Sequence, residues 1–129
     1  MIVEFLGHLH PVFVHLPIGV LILAYIVQYF FRTNQDKSNL IDFILIVGLL
    51  SSILAAFFGW VLSLSDGYDE DMLSLHKWLG IFVCFSSLFL LIIKRISKTK
   101  TTNIIYHVSF QVVIFALTAA GHFGGELTH

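Results

Sequence analysis

Four long apolar runs, about residues 11–31, 40–64, 75–93 and 103–121, alternate with the short polar links "RTNQDKSN", "SDGYDEDMLS" and "KRISKTKTT". Each run is close to or above the roughly 20 mainly apolar residues that cross a bilayer as a helix. Links this short make consecutive helices antiparallel neighbours. The pattern predicts an all-α fold: an integral membrane up-down four-helix bundle, with residues 1–129 as one domain.

Composition agrees with that solvent. Hydrophobic residues make up 57 % of the chain and charged residues 12 %, with a mean hydropathy of +0.91. A soluble domain normally carries about 25 % charged residues. The net charge of −1, with no basic cluster interleaved with aromatics, gives no reason to expect a nucleic-acid partner. The single cysteine, Cys84, lies in an apolar run and forms no internal disulfide, and no C-x-x-C-H is present to attach a c-type haem. The start "MIVEFLGHLHP" lacks a basic n-region and a small-residue cleavage site, so the first run is expected to stay as a membrane helix.

Charge then orients the bundle. Arg32, Lys37, Lys94, Arg95, Lys98 and Lys100 fall on one side, and only Lys77 on the other. The positive-inside bias predicts that the two basic links face the cytoplasm, with both termini and the acidic "SDGYDED" link outward. On that map His8, His10 and His15 sit at the outer end of helix 1, and His76 at the outer start of helix 3. His122 and His129 lie at the outer end of helix 4, and only His107 is on the inner side. Imidazoles from three helices therefore gather at one membrane face.

A duplication runs through the pattern. "VHLPIG" at 14–19 and "LHKWLG" at 75–80 both read apolar-His-x-x-apolar-Gly, and each is followed by a returning helix that ends in glycine and an aromatic ring, Gly59-Trp60 and Gly121-His122. This predicts two tandem helical hairpins related by a pseudo-twofold axis along the membrane normal. In this alignment His15 and His76 are equivalent and face each other across the axis. Gly19 and Gly80, one turn deeper, leave a notch for a large planar group. A porphyrin held edge-on, with iron bound by two imidazoles, suits such a notch. Gly121, Gly124 and Gly125 clear similar space beside His122, although small residues also serve plain packing of membrane helices. His10 is five residues from His15, about 140° around a regular helix, so the two are not expected to share one metal.

These residues resemble a known family. "LHPVFVHLPIGVLILA", "HKWLGI" and "GHFGGELTH" look like the bacterial membrane domain catalogued as domain of unknown function 2231, which is grouped with two-haem b-type membrane cytochromes and often precedes a c-type cytochrome domain. The resemblance implies a haem-b-binding, electron-transferring four-helix module of the bacterial inner membrane, with His10, His15, His76 and His122 at the matching positions. The leading expectation is one haem b, or two, near the outer face. His15 and His76 are the preferred axial pair, and His122 and His10 are alternative or second-haem ligands. Electrons would pass between membrane quinol and an external acceptor such as a c-type cytochrome, with the chain acting alone, as an oligomer or in a larger complex. Two rival expectations stay open: a membrane protein that binds Zn²⁺ or Cu²⁺ through His15, His76 and His122, and a non-catalytic anchor or assembly subunit with interfacial histidines.

Overall fold

In a computed structural model, which describes residues 5, 9–31, 35–64 and 69–127, the chain forms four helices. They are α1, His10–Phe30; α2, Gln35–Leu62; α3, Glu70–Ile96; and α4, Lys100–Glu126. Each is long and apolar enough to cross a membrane. At 1.5 Å rise per residue, the 27 residues of α3 extend about 40 Å.

Two of the helices, α3 and α4, overrun their apolar runs at both ends, and local chemistry starts them inside the links. α3 begins at Glu70, where the Asp69 carboxylate accepts a hydrogen bond from Met72 N at 2.9 Å. α4 begins after Thr99, which forms a reciprocal capping box with Thr102. α1 carries Pro11 in its first turn, where its fixed φ suits the helix. Its last carbonyls are taken by Lys37, whose Nζ donates to Gln28 O at 2.7 Å and Phe31 O at 2.8 Å. A cation at a helix C-terminus satisfies orphan carbonyls and complements the dipole.

The helices pack in a ring. α1 lies on α2, α3 on α4, α2 on α3, and α1 on α4, whereas the diagonal pairs do not pack together. The core along the axis is made by Leu21, Leu90, Phe110 and Val113, all fully buried. The outward faces are equally apolar, as Phe85 (69 % exposed) and Phe115 (78 %) show. That is the arrangement lipid requires, since acyl chains accept what water would reject.

The duplication is real, but its register differs from the one read in the sequence. The buried residues of α1 are Pro17, Leu21, Ala24 and Val27, and those of α3 are Val83, Ser87, Leu90 and Ile93. One shift of 66 positions, from Pro17 to Val83, superposes all four pairs. A shift of 65, from Ile41 to Tyr106, likewise carries Ile41, Leu45, Gly48, Ser51, Ser52 and Ala55 onto the six buried residues of α4. Under this register His10, not His15, is equivalent to His76. The "VHLPIG" and "LHKWLG" alignment is off by five residues, which is more than a turn of helix and enough to move a side chain to another face.

Equivalent polar contacts close the end where α1 and α3 finish and α2 and α4 begin. Across α2 and α3, Lys94 Nζ meets Asp42 Oδ1 at 2.6 Å and also donates to Ser38. Across α1 and α4, in the matching place, Tyr106 donates to Gln28 Oε1 at 2.8 Å and Tyr29 pairs with His107 Nδ1 at 2.8 Å.

Candidate functional site

At the opposite end, where α1 and α3 begin and α2 and α4 finish, a cleft partly open to the surroundings lies between the helices. Its walls are mostly apolar or small, among them Val14, Pro17, Ala55, Gly80 and Ala120. His10, His76, Ser52 and Lys77 supply the polar and titratable groups, and Trp60 stands at the rim.

The two histidines are held in the same way. His10 Nδ1 lies 3.1 Å from Ala55 O, and His76 Nδ1 lies 3.1 Å from Ala120 O. A carbonyl oxygen only accepts, so both Nδ1 atoms carry the proton and donate. Each neutral ring then keeps its Nε2 lone pair free. This is how proteins fix the tautomer and orientation of a histidine that ligates through Nε2. The ring centroids are 5.7 Å apart at an interplanar angle of 81°.

A glycine makes room for each ring. A Cβ on Gly59 would lie 2.8 Å from His10 Cε1, and one on Gly124 would lie 2.7 Å from His76 Cε1. Any other residue at either place would push the imidazole away from its carbonyl. The matching glycine comes from the neighbouring helix, not from one turn further along the histidine's own helix as the sequence reading expected. A signal for this is present in the chain: "AAFFG" at 55–59 matches "AGHFG" at 120–124, and "LH" at 9–10 matches "LH" at 75–76. The stronger visual likeness of the two His-x-x-x-Gly strings masks it.

The remaining candidates lie elsewhere. His15 is exposed on α1 and outside the cleft, so the expected opposition of His15 and His76 across the axis is corrected to His10 and His76. Gly19 is exposed with nothing near it, so it forms no notch within the bundle, whereas Gly80 does line the cleft with open space beside it. His122 points away from the cleft and lies 3.4 Å from Glu126 Oε1, one turn on. Gly124, expected to clear space for His122, clears it for His76 instead. His107 is at the far end with Tyr29, and His8 and His129 lie outside the described residues. Among the described residues no three His, Cys, Asp or Glu side chains come together in a group able to hold a metal ion.

A family model described as predicted membrane protein (DUF2231) matches residues 7–129. No curated protein and no solved structure matches the chain.

Proposed function

The chain belongs to the DUF2231 family of predicted membrane proteins, and on that footing we propose that it is a b-type cytochrome module in which His10 and His76 would hold one haem. The observation that carries this reading is the paired Nδ1–carbonyl hydrogen bonds, which leave two Nε2 lone pairs at one cleft. The ring centroids lie 5.7 Å apart, so both imidazoles are available to one ligand in the cleft.

The number of donors favours haem over a bare ion. Structural Zn²⁺ sites use four protein ligands, and catalytic ones three plus water. The cleft offers two imidazoles, and no third His, Cys, Asp or Glu joins them among the described residues. A porphyrin brings four nitrogens of its own and would need only His10 and His76 from the protein, and its apolar body suits apolar walls. A bound haem would supply a one-electron couple suited to electron transfer.

The same proposal covers location and partners. The basic residues Lys37, Lys94, Arg95, Lys98 and Lys100 all belong to the end opposite the cleft, which supports a cytoplasmic placement of that end in a bacterial inner membrane. The histidine pair then lies near the outer face, and electrons would run between membrane quinol and an external acceptor such as a c-type cytochrome.

The test is the visible spectrum of protein purified from haem-replete cells, oxidised and dithionite-reduced. The expected result is a Soret and α-band response that His10→Ala and His76→Ala abolish and His15→Ala leaves in place. A colourless wild-type protein carrying zinc or copper by elemental analysis would replace haem with the metal reading. A spectrum that survives His10→Ala and His76→Ala would overturn this ligand pair.

A further inference from the structure

Lys77 is the residue of the cleft that a pair of axial imidazoles does not account for. It follows His76 on α3 and lines the cleft, and it also lines an adjoining groove with Trp60, Glu70 and Trp78. Its Nζ stands 4.4 Å from the centre of the Trp60 ring, so it bridges the seam between α2 and α3. Among the described residues no carboxylate or carbonyl takes this half-buried ammonium, and Glu70 is not within ion-pairing distance. An ammonium kept at the edge of apolar walls, with an aromatic face as its contact, is poised for an anion.

We infer that Lys77 is the anion anchor of the cleft and takes a carboxylate carried by an otherwise flat, apolar ligand. This rests on the haem reading, because the carboxylates in question are the two propionates of haem b. The ammonium fixes which edge of the ligand faces the α2–α3 seam, while the apolar body goes inward towards Leu117 and Val83. Charge-assisted hydrogen bonds to carboxylate are among the stronger polar contacts, and they gain further where water is partly excluded.

Titration of the apoprotein in phosphatidylcholine nanodiscs with hemin and with hemin dimethyl ester tests the assignment. Binding is followed by the Soret band and by quenching of tryptophan fluorescence. Wild type is expected to bind hemin about tenfold tighter than the ester, equivalent to about 1.4 kcal/mol. Lys77→Gln is expected to erase that preference by weakening hemin alone, and Lys77→Arg to keep it. If Lys77→Gln weakens both ligands equally, or neither, the carboxylate role is overturned while a His10- and His76-dependent spectrum leaves the haem reading standing. If neither ligand gives such a spectrum with wild type, the haem reading falls and the role of Lys77 falls with it.

Discussion

His10 and His76 come within 5.7 Å of each other, ring centre to ring centre, although their helices are diagonal in the bundle and do not pack together. Each ring is anchored to the helix beside it, His10 to α2 through Ala55 and His76 to α4 through Ala120. The pair therefore ties all four helices together at one end. Its geometry depends on two glycines, Gly59 and Gly124, whose missing Cβ leaves room for an imidazole.

Those glycines give a clean separation of site from scaffold. Gly59→Ala and Gly124→Ala place a methyl 2.8 and 2.7 Å from a histidine Cε1, at the movable end of a side chain, so the ring yields and not the backbone. Helix propensity alone favours alanine by about 1 kcal/mol. The melting temperature in detergent is expected to hold or rise; if the cleft holds haem as proposed, its occupancy falls roughly tenfold or more, the usual effect of removing a ligand's supporting contact. Gly125→Ala, which meets nothing within 4 Å, is expected to leave the spectrum unchanged.

Gly48 is expected to behave in the opposite way. A Cβ there would lie 2.6 Å from Leu21 Cδ2, and Leu21 is fully buried, so nothing can give without disturbing the α1–α2 seam. Gly48→Ala should destabilise the bundle by about 1–3 kcal/mol, as overpacking does. Combining it with Leu21→Ala should cost less than the two single changes added together. Thermal unfolding followed by circular dichroism reads both, and strict additivity would count against a direct clash.

The Lys94–Asp42 pair predicts an asymmetry. Lys94 is 12 % exposed and Asp42 32 %. Asp42→Asn leaves the more buried partner with Ser38 but no counter-charge and should lower stability by roughly 1.5–3 kcal/mol, the range for hydrogen bonds to charged groups. Lys94→Met leaves a carboxylate that can still reach polar surroundings and should cost less. Equal losses in chemical denaturation would show that burial does not set the cost.

Orientation can be read with single cysteines in a Cys84→Ala background, since Cys84 is the chain's only thiol. A membrane-impermeant maleimide added to spheroplasts is expected to label Glu126→Cys. Lys98→Cys is expected to react only after permeabilisation. The reverse pattern would move the histidine cleft to the cytoplasmic face.

The number of helices, their antiparallel order, the membrane as solvent and the existence of two similar hairpins are legible in the amino-acid sequence alone. Those features depend on run length, link length and composition, which are local. The sequence also singled out His10, His15, His76 and His122, because imidazoles at the ends of apolar helices are conspicuous. It favoured His15 over His10. In water a helix marks its buried face by the polar residues opposite, but here lipid-facing Phe85 and Phe115 are as apolar as buried Leu90 and Phe110, so periodicity carries little information about rotation. Only tertiary packing turned α1 so that Pro17, Leu21, Ala24 and Val27 face inward, and with them His10 in place of His15. The close approach of α1 to Gly59, and of α3 to Gly124, then decided which imidazoles meet.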